Sequence, residues 1–274
     1  MRILLTGENG FIGSSLKLKL SALNHEVHCV SASVLNKTNT NIKNLSNFDC
    51  IIHSAGYTSD LTSTTVGQFF RYDLDFTSQL CENFAKIKKE EKLFIYMSSI
   101  AAADCTNTTA YAYVKRENEQ TIRNICGETK SIILRLPSVF GPTNKKQLIY
   151  ELVQKIKHNP AIIQLKGNEN SIRHWVYIDD IVNRTIEALA NESDRFVQLA
   201  TEPMSVRELV KQISLYTNYG GLIKFMNNST EANKPFVLDP LKAEAPFISE
   251  TVGGGKETFQ TQLATTIKYI LKNE

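Results

Sequence analysis

Tyr111 and Lys115 stand four residues apart in the run Tyr111-Ala112-Tyr113-Val114-Lys115. Four residues is one helical turn, so the two side chains share a face and can act together. The chemistry this pairing suits is proton transfer to or from a carbonyl oxygen. A free tyrosine, with a pKa near 10, is about three units too weak an acid at neutral pH. Three units correspond to about 4 kcal/mol, which a cation roughly 4 Å away supplies at an effective dielectric near 20. Ser99, at the end of Met97-Ser98-Ser99, is placed to steady the substrate oxygen as an oxyanion donor does. Tyr-x-x-x-Lys by itself is common by chance, and Tyr113 is a competing aromatic at the wrong spacing. What gives the pair weight is its order in the chain, after Ser99 and after a glycine loop.

That loop is Thr6-Gly7-Glu8-Asn9-Gly10-Phe11-Ile12-Gly13, directly behind the first strand and ahead of the first helix. Glycines there permit a tight strand-to-helix turn, so that a pyrophosphate can sit on the free N–H groups of the helix N-terminus. The spacing predicts a dinucleotide cofactor. The end of the second strand should select its type, because an acid there binds the ribose 2′-OH of NAD and repels the 2′-phosphate of NADP. In Glu26-Val27-His28-Cys29-Val30-Ser31-Ala32-Ser33 the acid opens the strand and comes too early. Ser31 and Ser33 can donate to a phosphate and Lys37 can supply charge, so NADP(H) is favoured, with NAD(H) as the alternative if Ser31 only binds the ribose.

The elements that must hold these residues are legible in the first 140 positions, where short β-branched runs alternate with helical patterns as in parallel strands joined by crossover helices. The expected strands are 2–6, 26–31, 50–54, 93–98 and 131–136, and the expected helices 11–23, 65–88 and 111–125. Together they make an α/β, doubly wound parallel sheet. After Leu136 the chain is broken by Pro137, Gly141-Pro142, Asn159-Pro160 and Gly167. Helices are expected there at 147–158, 178–190 and 259–271, and another opens at Ser205-Val206-Arg207-Glu208, a capping-box pattern. The expected division is a dinucleotide-binding domain over 1–140 with returning segments at about 175–200, and a small substrate-binding lobe over 141–174 and 201–274.

Composition removes several function classes. The 274 residues carry 31 Lys and Arg against 28 Asp and Glu, a net charge of +3, with no block of five like charges. Nothing in this charge pattern supports a nucleic-acid or membrane-surface partner. Five scattered cysteines without a Cys-x-x-Cys or Cys/His cluster argue against a metal site or a disulfide framework. No apolar run has the length of a signal peptide or a membrane span, so the expected location is the cytoplasm.

The motifs resemble the extended short-chain dehydrogenase/reductase family, the NAD(P)-dependent nucleotide-sugar epimerases, dehydratases and reductases. The matching stretches are Thr6–Gly13, Phe48–Gly56, Tyr96–Ala101, Tyr111–Lys115, Leu134–Pro142 and Arg173–Val182, in family order over about two thirds of the chain. The resemblance implies a Rossmann-type sheet with Ser99, Tyr111 and Lys115 as the catalytic triad. It implies that Gly7, Gly10, Phe11, Ile12 and Gly13 line the pyrophosphate, that Ala55, Gly56 and Lys115 lie along the cofactor, and that His53 belongs to a structural loop. Ser138 and Arg173 fall where the family binds the nucleotide and diphosphate, and an arginine suits a bidentate phosphate contact. A homodimer through the helices at 65–88 and 111–125 is also implied, with a monomer left open.

Three departures bear on the reaction. Ile100-Ala101 stand where the family's dehydratases carry an Asp-Glu pair, which argues against dehydration. Asp73 replaces the usual Asn, and Ser138 replaces the Asn before Val-Phe-Gly-Pro. The first reading is an NADPH-dependent reductase of a nucleotide-activated 4-keto-6-deoxyhexose, with Tyr111 as general acid. The second is a nucleotide-sugar 4-epimerase with tightly held NAD. A dinucleotide-binding protein without turnover ranks third, having no need for Tyr111 and Lys115 together.

Overall fold

The structure, a computed structural model, describes residues 1–30, 45–56, 67, 70–104, 109–190, 195–226 and 247–273. It divides into two compact units, one made of Met1–Leu136, Ile181–Leu199 and Pro240–Glu250, the other of Pro137–Asp180, Ala200–Asp239 and Thr251–Glu274. Among the described residues no helix is long and apolar enough to cross a membrane.

The first unit is built on a seven-stranded sheet. Its first five strands in chain order are Arg2–Thr6 (β1), Glu26–Val30 (β2), Cys50–His53 (β3), Leu93–Ser99 (β4) and Ser131–Leu136 (β5). Phe196–Ala200 (β10) and Ile248–Thr251 (β13) complete it, in the order β13-β10-β5-β4-β3-β1-β2. Pairing is parallel from β2 through β10. β1 lies between β2 and β3, so the two connections that follow it diverge, and the crevice at the carboxyl ends of β1 and β3 is where such sheets take ligands. The interior strands are buried almost throughout and mostly apolar because both faces are covered. Leu4, Ile51, Phe94 and Ile133 pack with Leu80 and Phe84 of helix α2 (Phe76–Ala85) and Ile122 of helix α3 (Ala110–Cys126).

Helix α1 (Phe11–Ala22) buries Leu16 and Leu20, one turn apart, and ends before Asn24, which takes a left-handed φ of 61°. The helix expected over 65–88 is described from Arg71. It enters as a π-helical turn, Arg71–Asp75, and continues as α2 to Ala85. Helix α3 starts on Thr109, whose Oγ1 accepts the Ala112 N–H at 3.2 Å, and stops at Gly127 with φ +85°.

The second unit has its own core. Three helices, Gln147–Lys157 (α4), Val206–Thr217 (α6) and Gly255–Asn273 (α7), converge through Leu152, Leu209 and Leu263. The capping box forms as the sequence predicts, Ser205 Oγ accepting the Glu208 N–H while the Glu208 carboxylate accepts the Ser205 N–H. Helix α5 (Ile178–Ala190) has the expected bounds, and α7 starts four residues early, at Gly255 rather than Phe259. Segments 137–140 and 175–180, expected with the sheet, fall in this unit because Ser138–Phe140 (β6) and Trp175–Tyr177 (β9) pair with each other. Of the described residues expected in the lobe, 247–250 fall in the first unit, where β13 is the edge strand. Two further short sheets pair Ile162–Lys166 (β7) with Leu222–Met226 (β12), and Ile172–Arg173 (β8) with Met204–Ser205 (β11).

Candidate active site

At the carboxyl end of β1, Gly7 has φ +76°, and a Cβ there would lie 2.7 Å from the Ala55 N, in the segment after β3. A Cβ on Gly13 would lie 2.0 Å from the Gly7 carbonyl oxygen, so the first turn of α1 can sit this close to the loop only as glycine. Gly10 stands at the N-cap of α1, with no side-chain cap and no acid in the first turn. The helix therefore offers its N–H groups, including those of Phe11, Ile12 and Gly13, where an anion can be received. A close-packed backbone cradle with an uncapped helix end fits a dinucleotide pyrophosphate. Ser31, Ser33 and Lys37 lie outside the described residues. The acid that opens β2 is engaged elsewhere, since Glu26 pairs with Arg2 at 3.0 Å and His28 at 2.7 Å.

The loop after β3 is held by an unbroken hydrogen-bond chain. The Ala55 N–H donates to Thr6 Oγ1 at 3.1 Å, and Thr6 lies 2.7 Å from His53 Nδ1. His53 Nε2 lies 2.9 Å from Thr77 Oγ1, which donates to the Asp73 carbonyl at 2.7 Å. Because Thr77 spends its proton on that carbonyl, Nε2 must be the donor to Thr77, and Nδ1 accepts the Thr6 hydroxyl proton. His53 is therefore a neutral imidazole, inside the sheet rather than in a loop. Burial, with the Lys115 charge, lowers its pKa to about 3. An imidazole lowered in the folded state makes stability fall as pH drops from about 6.5 toward 3, by at most ~1.4 kcal/mol per pH unit. Urea midpoints measured across that range should fall more steeply for the wild type than for His53→Gln, which takes up no proton there; equal slopes would show that His53 is not held neutral.

Tyr111 and Lys115 share a face of α3 as expected, the ammonium standing 5.9 Å from the Tyr111 ring centroid. Tyr111 is half-buried, whereas Tyr113 is exposed and packs edge-on against Phe70. Lys115 is buried, and its ammonium donates to the Tyr96 hydroxyl at 3.0 Å and to the Met97 carbonyl at 3.2 Å. Lys115 is thus fixed two residues from Ser99. Burial opposes its charge, but Tyr96, Asp73 and Tyr111 outweigh that and hold its pKa above the ordinary lysine value. Ser99 and Ser98 differ in a way that matters for catalysis. Ser98 Oγ is committed to Glu119 Oε1 at 2.5 Å, while Ser99 Oγ accepts the Ala101 N–H at 3.2 Å and keeps its own proton to donate. The site therefore presents a phenol, a fixed cation near it and a hydroxyl donor at the end of β4. That set can protonate and stabilise a carbonyl oxygen.

In the second unit Ser138 and Arg173 are neighbours, since the Ser138 N–H donates to the carbonyl of His174 at 3.1 Å. Arg173 is exposed, and its guanidinium is chemically suited to an anionic ligand.

Three polar residues surround Lys115, and of these the sequence marks only Asp73, as a departure from the family's usual Asn. Tyr96, Asn118 and Asp73 are linked, Asn118 Nδ2 lying 3.0 Å from the Tyr96 hydroxyl and 2.7 Å from Asp73 Oδ1. A signal existed, for Asn118 follows Lys115 by three positions on the same helix face, and Tyr96 shares a strand face with Ser98. The Glu119–Arg135 pair was missed too; it is bidentate, at 3.0 and 2.8 Å.

A curated relative, the UDP-2-acetamido-2,6-beta-L-arabino-hexul-4-ose reductase of Pseudomonas aeruginosa, is 28% identical over 227 residues, 80% of this chain. The chain spans 58% of that relative's length. The solved UDP-glucuronic acid 4-epimerase of Bacillus cereus with UDP-glucuronic acid and NAD superposes with a TM-score of 0.76 at 18% identity, over 98% of this chain and 99% of that one. An NAD-dependent NDP-hexosamine 5,6-dehydratase involved in tunicamycin biosynthesis gives 0.76 at 16% identity, over 100% and 98%. At such identities the likeness shows the fold. The NAD dependent epimerase/dehydratase family model matches residues 3–199, a span that holds both the glycine cradle and the Ser99, Tyr111 and Lys115 constellation, and the chain belongs to that family.

Proposed function

We propose that the protein is an NADPH-dependent reductase of a nucleotide-activated 4-keto-6-deoxyhexose. The observation that carries this reading is the relative named as a reductase of a UDP-linked hexul-4-ose, matched over 80% of the chain. Two features of the chain support it. Glu26, the acid of β2, opens the strand and is paired with Arg2 and His28, which favours NADP over NAD. Ile100 and Ala101, in the short turn behind Ser99, offer no carboxylate to remove water.

The bound dinucleotide supplies the hydride. Tyr111 gives its hydroxyl proton to the keto oxygen, and Ser99 donates a hydrogen bond to the same oxygen. Lys115 stabilises the phenolate left on Tyr111 until a solvent proton returns, and it also holds the cofactor ribose. Gly7, Gly10, Phe11, Ile12 and Gly13 hold the pyrophosphate, with Ala55 and Gly56 along the cofactor. Ser138 and Arg173 hold the nucleotide diphosphate.

The test is a panel of nucleotide-linked 4-keto sugars assayed for NADPH and NADH oxidation, with product configuration read by NMR. Stoichiometric NADPH consumption with formation of the 4-alcohol is expected. The same three catalytic residues suit a 4-epimerase, so oxidised NAD surviving purification with no consumption of added NADPH would overturn the reductase reading in favour of epimerisation. Arg173→Ala should raise KM for the nucleotide sugar by about 10- to 100-fold, the loss of one charge-assisted contact. KM for a bare ketone should hardly move, and an equal rise for both would remove Arg173 from the diphosphate site.

A further inference from the structure

Asp73 is 2% exposed and sits in the π-helical turn Arg71–Asp75 that leads into α2. Its carboxylate accepts from Asn118 Nδ2 at 2.7 Å. A Cβ built on Gly56 would lie 3.1 Å from Asp73 Oδ2 and 3.1 Å from the Lys115 ammonium nitrogen, so the two charges meet beside that glycine. The groups facing Lys115 come from each element packed on it. His53 of β3 is neutral, Tyr96 of β4 is a phenol that burial pushes up, and Tyr111 is a turn away on α3 itself. Asp73 is the carboxylate of the set that raises Lys115.

A buried ammonium beside a cofactor site creates a difficulty. An oxidised nicotinamide ring is positive and a reduced one is neutral, so an unbalanced Lys115 would disfavour the oxidised form. We propose that Asp73 is a positioning residue for charge, its buried carboxylate offsetting the Lys115 ammonium and thereby setting the relative affinity for oxidised and reduced dinucleotide. The inference rests on dinucleotide binding along Gly56, as in the proposed function, and it holds for a reductase or an epimerase alike. Removing one negative charge from beside the ring is expected to change the affinity ratio by roughly tenfold.

The experiment is direct binding, by calorimetry or by fluorescence of the reduced cofactor, of NADP and NADPH (or NAD and NADH) to the purified protein. Asp73→Asn keeps the shape of the side chain and an acceptor for Asn118. The ratio of dissociation constants, oxidised over reduced, should rise about tenfold in this variant. The double variant Asp73→Asn with Asn118→Asp moves the charge across one hydrogen bond and should bring the ratio back toward the wild type. A structural role alone would weaken both forms together, and an unchanged ratio in a folded Asp73→Asn protein overturns the proposal. If Asp73→Asn fails to fold, the double variant decides, with a ratio far from wild type counting against it. Wild-type protein that binds no dinucleotide overturns the underlying reading, and this inference with it.

Discussion

Tyr111→Phe should lower kcat by about a thousandfold while the dissociation constant of the dinucleotide stays within about twofold of wild type. The size follows from what the hydroxyl does, since a positioned general acid or base contributes roughly 10²- to 10⁴-fold. The selectivity follows from what the substitution leaves in place. The ring remains, with its packing 5.9 Å from the Lys115 ammonium, and the glycine cradle is on other elements. A second phenol, Tyr96, lies nearer that ammonium, its hydroxyl 3.0 Å away, but it is wholly buried and hydrogen-bonded to Asn118 as well. Tyr96 therefore has no route to a substrate and should not rescue the variant. Steady-state kinetics with direct cofactor titration checks both halves. Near-normal turnover would remove Tyr111 from the mechanism, and a large loss of cofactor affinity would make its role one of binding.

Much of this arrangement can be read from residue order, because short-range rules govern it. The turn from β1 to α1 needs glycine at Gly7 and Gly13 for reasons of backbone space, and those reasons are local. Tyr111 and Lys115 meet because helical spacing requires it, and the Ser205–Glu208 box forms for the same kind of reason. Side-chain partnerships between distant segments carry no comparable marker. Ser98 and Ser99 look equivalent in sequence, yet Glu119 claims one and leaves the other, which only the packing of α3 on β4 decides. His53 reads as a lone histidine after an apolar strand; the threonines that satisfy it lie 47 and 24 positions away. The strands β7 and β12 pair across some sixty residues, and nothing in either five-residue run names its partner. The edge strand β13 likewise lies far from β10 in sequence, and no local pattern marks that pairing.

Glu119→Ala should cost about 3–5 kcal/mol of stability, the usual consequence of removing one partner from a buried ion pair. The carboxylate is 4% exposed and meets the Arg135 guanidinium through two bonds, with Ser98 as a third donor. Arg135 lies 3.5 Å from the Phe247 ring centroid, so the network ties α3, β4, β5 and the segment before β13 together. Alanine leaves a cation buried without an anion and Ser98 without its acceptor, whereas Glu119→Leu with Arg135→Met removes both charges and should recover most of the loss. Denaturant midpoints of the two variants decide this, and a cost below about 1 kcal/mol for Glu119→Ala would mean that water reaches Arg135. Activity offers a second check with a different logic. Glu119 stands one turn beyond Lys115 on the same helix, and Ser98 precedes Ser99, so this pair sets how α3 sits against the end of β4. In the charge-free double variant the helix keeps its apolar contacts but loses that fixed register. kcat should therefore remain depressed after stability has recovered, which would separate the orienting role of the ion pair from its contribution to folding.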